Sequence, residues 1–536
     1  MSRQQDRGRQ VLPMVLMLLL ALAATSLRLR QTANTVDDAF ITYRYAANLA
    51  AGNGLVYNAG EQVLGTSSPV YALLLVPAVA LAGVHNLPTA SLIFNALMDG
   101  LLTMVLFLGV ARLAGGGTRG LLAGFAAGLL YAVDAKSVDF SSGGMEAPLF
   151  TGCLLCCAWL LSRSRYTAAA LLAAASVAVR PDGGLVLVVV LLVTWLHGRR
   201  LPWRGLMGAT GILLALGTLA WAAYGDPIPA SVRAKASGIY MLPADHALRY
   251  LCRHLAGMAW PRLPLGRLLP FLSGAAREYA TLLASSILPV ALMVSGWRLG
   301  RRQLGAAADF LAGYSVLFFL IFAAANPFMM GWYYVPLETA YIALLALGAL
   351  TVGTSMSRHL LVLFLAPAGR VAVGVGLTLA LLLLPQLHRY QWLPLPGQGA
   401  VRLLSEWEKI RESDYLRVGA DLARLTGGRA RIAAPEIGGL GFAYPGPILD
   451  TVGLISPVAG SYYPLPPAQI AGNSAIPPDL IAAEKPDVVV FLEIFGRRGL
   501  LQDPRFMADY RLWRTYPSRV FGSRGLLVYI RRTAVW

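Results

Sequence analysis

Through residues 1–388, apolar positions run in stretches of about 15 to 22, and a helix needs roughly 20 residues to cross the hydrocarbon core of a bilayer. The pattern predicts spans at 11–28, 69–84, 88–113, 119–135, 146–162, 166–180, 184–198, 205–224, 279–297, 304–325, 331–353 and 371–388. Arg3, Arg7 and Arg9 precede the apolar stretch Val11 to Leu27, which fits either a signal peptide or a first membrane helix,. Its length, and the spans that follow, favour a retained helix with its N-terminus inside.

Arginines fill the short links between apolar runs: Arg112 and Arg119, Arg163 and Arg165, Arg199, Arg200 and Arg204, Arg298, Arg301 and Arg302, Arg358 and Arg370. The positive-inside rule makes these links cytoplasmic. Two full crossings between 69 and 113 would put all the later basic links outside. One of the segments 69–84 and 88–113 is therefore expected to be re-entrant or interfacial, within a bundle of about eleven to thirteen helices. The outer face then receives 29–68, 135–145, the turn Arg180 to Gly183, 225–278, the link Asn326 to Tyr334 and everything after His388. The chain divides into a membrane module, 1–388, and an extracytoplasmic α/β domain, 389–536. In the latter, Ala430–Ala434, Asp487–Leu492 and Gly525–Ile530 read as strands between Pro/Gly-rich links that suit an acceptor-binding cleft,.

Composition agrees with a membrane solvent. The chain is 57% hydrophobic and 13% charged, against about 45–50% and about 25% in soluble domains. A net charge of +18 would suggest nucleic acid in a soluble protein,, but here it reports topology. Cys153, Cys156 and Cys157 share one apolar run and Cys252 stands apart, so packed thiols are expected in place of a disulfide or metal site,. No Walker loop appears and no GxGxxG follows a strand, which weakens ATP-driven or nucleotide-sugar chemistry.

The chemistry-bearing residues gather on the predicted outer face. Asp37 and Asp38 stand just outside the first span. Adjacent carboxylates resist joint ionisation, so one can serve as a base near neutral pH, or the pair can cap the helix that follows. The continuation to Tyr71, DDAFITYRYAANLAAGNGLVYNAGEQVLGTSSPVY, resembles the first extracytoplasmic loop of the GT-C superfamily of membrane glycosyltransferases, and within it the terminal arabinofuranosyltransferase group. Protein O-mannosyltransferases and lipid A aminoarabinose transferases are more distant relatives in this reading. The resemblance implies an acidic residue, Asp37 or Asp38, that activates the acceptor.

Fainter matches follow. Gly143-Gly144-Met145-Glu146 is similar to a Gly-Met-Glu-Thr stretch, with Ala147 in place of the Thr. Arg180-Pro181-Asp182-Gly183 resembles an Arg-Pro-acid-Gly turn, and Gly225-Asp226-Pro227 with Lys235 a loop ending in Ala-Lys. That loop departs from the family at Ala230, Ser231, Val232 and Arg233. Ala434-Pro435-Glu436-Ile437-Gly438 and Asp450-Thr451-Val452-Gly453-Leu454 are similar to the relatives' C-terminal domain.

A membrane-side reading of the residues gives each an alternative. Glu146 and Arg180 end apolar runs, where a charge needs a polar cavity or a partner; Arg180 can equally snorkel or pair with Asp182. Asn95 and Asp99, four apart, line a cavity or bond helix to helix. Trp332, Tyr333 and Tyr334 form an aromatic belt or stack on a sugar, and Glu338 accepts from a sugar hydroxyl or pairs in the bundle. Arg233 and Lys235, with Arg180 and Arg44, are the candidate ligands of a donor phosphate; attraction to anionic lipid is their bland alternative. Asp37 and Asp38 are also the candidate ligands of a divalent metal, although no His-rich set demands one. Together these predict an inverting glycosyltransferase using a polyprenyl phosphosugar and an extracytoplasmic glycan, lipid or protein acceptor at the plasma membrane. The sugar stays open between arabinofuranose, mannose and others. The rival is a transporter or flippase, which predicts internal repeats that this chain does not display.

Overall fold

The computed structural model describes residues 2–31, 35–199, 202–236, 238–259, 271–272, 274–357, 366–392, 401–403 and 406–535. In chain order it forms α1 (Ser2–Leu29), α2 (Asp37–Ala50), α3 (Pro69–Ala82), α4 (Leu87–Leu113), α5 (Gly117–Ala132), α6 (Ala135–Ser142), α7 (Ala147–Ser162) and α8 (Tyr166–Ala175). These are followed by α9 (Gly183–Gly198), α10 (Trp203–Tyr224), α11 (Ala230–Ala236), α12 (His246–Ala256), α13 (Gly274–Ala325), α14 (Tyr334–Met356) and α15 (Pro367–Leu387). Leu304 (φ −133°, ψ 70°) breaks α13 into helices 274–303 and 305–325, beside the two spans the sequence predicts there.

Among the described residues six helices are long and apolar enough to cross a membrane, or seven with the bent pair α5–α6. α3, α7, α8 and α9 are apolar and shorter. The protein is thus an integral membrane protein. The expected span 119–135 ends early: the chain turns by 48° between α5 and α6, where the Asp134 carboxylate caps α6 by accepting from the Ser137 N–H at 2.8 Å,. α3, with 14 residues and Pro77 inside it, falls short of the ~20 a crossing needs, whereas α4 has 27. Arg200 and Arg358 of the expected cytoplasmic links lie outside the described residues.

Small residues set the helix crossings, because lipid supplies no hydrophobic drive between helices and close backbone approach must replace it. A Cβ on Gly120 or Gly124 would lie 2.7 and 2.6 Å from the carbonyl oxygens of Ala111 and Phe107, so α5 rests directly on α4. Gly296 and Gly348 meet in the same way where α13 crosses α14. α14 is buried through nearly its whole length and forms the centre of the bundle. Arg28 of α1, fully buried, donates to Asp99 at 2.7 Å and to the carbonyls of Ala24, Tyr131 and Ala132, which satisfies an intramembrane charge internally,. Asp99 therefore bonds helix to helix. Asn95 does the same, donating to the carbonyls of Ser141 and Met145. All four cysteines are free.

Beyond α15, β1 (Tyr390–Trp392) pairs antiparallel with β2 (Val401–Leu403), and α16 (Glu406–Thr426) leads into a mixed sheet. Its strands are β3 (Ile432–Ala434), β4 (Ile448–Asp450), β5 (Val488–Leu492), β6 (Tyr510–Tyr516) and β7 (Leu526–Arg531), in the order β4-β3-β5-β7-β6. β3 is parallel to β4 and β5, and β7 antiparallel to β5 and β6. A short helix, α17 (Gly438–Ala443), follows β3. The apolar core of this region also takes in Ile41, Tyr45, Tyr57 and Ala72, so the first loop and the sheet region share one core.

Candidate active site

α2 opens with the acidic pair, and successive residues on a helix point about 100° apart. The two carboxylates therefore face different surroundings. Asp37 is buried; its oxygens accept from the N–H groups of Gly438 and Gly439 at 3.0 and 2.9 Å, in the first turn of α17. Asp38 lies on the wall of a cavity of about 290 Å³.

Segments far apart in sequence build that cavity. α2 gives Asp38 and Thr42; the loop before α3 gives Thr66, Ser67 and Ser68; the start of α7 gives Met145 and Glu146; the turn before α9 gives Arg180 and Asp182; α11 gives Ser231 and Lys235; the entry to α14 gives Trp332 and Tyr333; and the sheet region gives Leu454. A hydrogen bond from the Ala230 N–H to the Leu64 carbonyl (2.8 Å) ties α11 to the first loop. Asn95 holds the stretch carrying Glu146 through the Met145 carbonyl at 2.9 Å.

Arg180 is buried and largely spent. Its Nε and Nη2 donate to the two oxygens of Asp182 at 3.0 and 3.1 Å, and its Nη1 donates to the Trp332 carbonyl at 3.1 Å. Glu146 Oε1 lies 3.7 Å from its Nε, and the guanidinium packs 5.1 Å from the Phe150 ring centre and 5.6 Å from that of Tyr333. Lys235 Nζ lies 6.0 Å from the Trp332 ring centre. Burial pulls its pKa down, but Tyr333 and Asp38 outweigh this and hold the ammonium above its ordinary pKa,. The cavity thus holds a charged lysine opposite a carboxylate, with an ion-paired arginine behind them.

The structure thus brings together Asp38, Glu146, Arg180, Asp182, Tyr333 and Lys235 of the expected site residues. It places the others elsewhere. Arg44 donates to the carbonyls of Tyr57, Gly441, Tyr444 and Gly446 at 2.6–2.9 Å, so its guanidinium is committed to backbone and is corrected as a phosphate ligand. Arg233 is exposed and pairs with Asp226 at 2.5 Å. The Tyr334 ring packs at a tilt against His254, centres 4.2 Å apart, and Glu338, fully buried, lies 3.3 Å from His254 Nε2; neither lines the cavity. Asp37 is likewise corrected as the leading base, its carboxylate being occupied by α17. No group of three or more His, Cys, Asp or Glu among the described residues is arranged to hold a metal ion. Sequence reasoning missed Thr42, Ser231 and the hydroxyls of Thr66, Ser67 and Ser68, although the run of small hydroxyl residues before Pro69 was a visible signal.

Across 98% of both chains the structure superposes on ArnT from Cupriavidus metallidurans, solved with undecaprenyl phosphate bound, with a TM-score of 0.54 and 15% identity. That likeness is one of fold. In sequence, the terminal β-(1→2)-arabinofuranosyltransferase of Mycobacterium tuberculosis is 32% identical over 222 residues. That match covers 35% of this chain and about a third (35%) of the relative's length. No family model matches. The chain is thus similar to the arabinofuranosyltransferase over part of its sequence and to ArnT in architecture.

Proposed function

We propose that this protein is an inverting glycosyltransferase of the plasma membrane that moves a sugar from a polyprenyl phosphate to an acceptor on the outer face. The observation that carries the reading is the convergence of Asp38, Lys235 and Arg180 on one cavity. Asp38 takes the proton of an acceptor hydroxyl as that oxygen attacks C1, and the C1–O bond to the lipid phosphate breaks with inversion. Lys235 compensates the charge growing on the departing phosphate; Arg180, held by Asp182, adds a fixed positive field. The products are the glycoside and the polyprenyl phosphate, and the proton leaves from Asp38.

Two further features support this reading. The cavity is at the small end of the ~300–1,000 Å³ usual for ligand pockets, which suits a sugar and a phosphate. A second, largely apolar cavity of about 710 Å³, lined by Val189, Leu192, Val316, Phe319 and Leu320 among others, draws on the same helix that gives Ile321 and Phe322 to the first and offers a place for a prenyl chain. The short α3 supports the odd number of crossings expected from the basic links, by which this cavity would open outside the cytoplasm,. ArnT's bound undecaprenyl phosphate and the relative's arabinofuranosyl transfer suggest the donor class; the acceptor is a glycan, lipid or protein. The test is incubation of the purified protein in lipid with radiolabelled polyprenyl phosphosugars, pentosyl and hexosyl, following label into envelope fractions. Label transfer from one donor that Asp38→Asn abolishes supports the reading; no transfer from any of them overturns it.

A further inference from the structure

α2 uses one side for the cavity and another for the C-terminal region. Positions 37, 41 and 44 share a face at helical spacing. Asp37 accepts from the N–H groups that open α17, Ile41 enters the core of the sheet region, and Arg44 donates to the Gly441 carbonyl within α17 and to the Tyr444 and Gly446 carbonyls beyond it. The other side, at 38 and 42, faces the cavity, and Ile41 borders both.

We propose that α17 is the surface on which Asp38 is positioned, with Asp37 and Arg44 as positioning residues that fix the rotation and slide of α2 at its first turn and at its middle. This rests on the reading of Asp38 as the base. The glycines of α17 belong to the same device. A Cβ on Gly438 would collide with the Asp37 backbone, and one on Gly441 with the Tyr57 hydroxyl and the Arg44 guanidinium. Neither glycine has a positive φ, so close approach, not backbone freedom, requires them. Tyr57, with its ring centre 4.4 Å from the Arg44 guanidinium, donates to the Ile437 carbonyl at 2.6 Å and secures the start of α17. The acidic pair is thereby divided: one residue holds the helix and its neighbour meets the substrate. Because a displacement of about 1 Å at a reacting group costs on the order of 10²-fold in rate, the C-terminal region acts on turnover without touching the acceptor proton.

The test compares Asp38→Asn, Asp37→Asn and Gly438→Ala in the purified full chain, using the labelled donor, with kcat per folded molecule, donor KM, pH profile and melting temperature as readouts. Asp38→Asn is expected to abolish turnover. Asp37→Asn and Gly438→Ala are expected to lower kcat about 10- to 100-fold, with donor KM within about twofold and the pH profile retained, because Asp38 still takes the proton. Full kcat in the latter two alongside an inactive Asp38→Asn overturns the positioning role and leaves the base intact. An active Asp38→Asn with a displaced pH profile in Asp37→Asn overturns the base assignment itself. If Asp37→Asn and Gly438→Ala both fail to fold, the contact serves folding alone and the proposal is likewise overturned.

Discussion

Lys235 and Arg180 both line the cavity, yet their side chains are held so differently that their substitutions should part company. Lys235 is held by Tyr333, the Trp332 ring and the charge of Asp38, without, among the described residues, a buried ion pair of its own like that of Arg180, so Lys235→Ala is expected to leave the fold intact and raise donor KM about 10- to 100-fold, the loss of a charge-assisted bond of about 1.5–3 kcal/mol. Arg180→Ala removes the cation that faces Asp182 and Glu146 in a buried setting, and breaking such a pair costs about 3–5 kcal/mol. It should reduce the yield of folded protein before any effect on donor use is measurable. Size-exclusion profiles and melting curves beside donor kinetics check both; a well-folded Arg180→Ala with normal melting would refute the second. At this scale the sequence showed residue types and not their direction. The acidic pair, Glu146, Arg180, Asp182 and Lys235 were all visible, but the split between Asp37 and Asp38 depends on glycines some 400 positions away in sequence, which no local pattern reports. Arg44 was misread for the same reason, since its carbonyl partners include Gly441, Tyr444 and Gly446.

Elements were easier to read where burial makes a long uniform signal. The apolar helices follow the predicted spans closely, even at Leu304, because lipid demands unbroken apolar runs. Strands buried along their length, β3, β5 and β7, were visible as apolar runs. β4 is only three residues long, and the middle of edge strand β6 is largely exposed and carries Arg511 and Arg514, so neither gives a clear pattern,. α17 was hidden because a six-residue helix rich in glycine has almost no propensity signal,. The helix 305–325 carries its own prediction. Leu320 is 58% exposed and lines the apolar cavity offered above to the prenyl chain, so Leu320→Trp can be accommodated without repacking the core. Donor KM for a long-chain polyprenyl phosphosugar is expected to rise severalfold, while a short-chain analogue is used as before. Equal effects on both donors would argue that the chain lies elsewhere. Gly348→Leu should instead destabilise the bundle by about 1–3 kcal/mol or more through overpacking at the α13–α14 crossing, seen as a lower melting temperature in detergent.

For the whole molecule, the decisive feature is that the membrane bundle and the sheet region meet through buried charge. Around Arg411 lie Glu412, Glu436 and, close by, Asp37 and Tyr415; Arg411 donates to Glu412 at 2.7 Å and to Glu436 at 2.9 Å. Burial pushes the Glu436 carboxyl up to about 7 and that of Glu412 up to about 8, with Asp37 adding to the rise and Arg411 opposing it,. In the unfolded chain both would titrate near the ordinary glutamate value of about 4.3. Between these limits the folded state binds more protons than the unfolded one, so stability must fall as pH rises. The contribution is complete below about pH 4.3, declines by up to about 1.4 kcal/mol per pH unit for each group, and is gone above about pH 8. Melting temperature in detergent should therefore drop from pH 5 to pH 8 and level off beyond, with amide exchange at Gly438 and Gly439 accelerating in step as the junction loosens. Glu412→Gln, which cannot ionise, should flatten the part of the curve between pH 7 and 8 and leave the lower part to Glu436. A melting temperature that climbs through this window, or a Glu412→Gln curve that overlays the parent, would show that these carboxyls ionise freely and that the junction is held by packing alone.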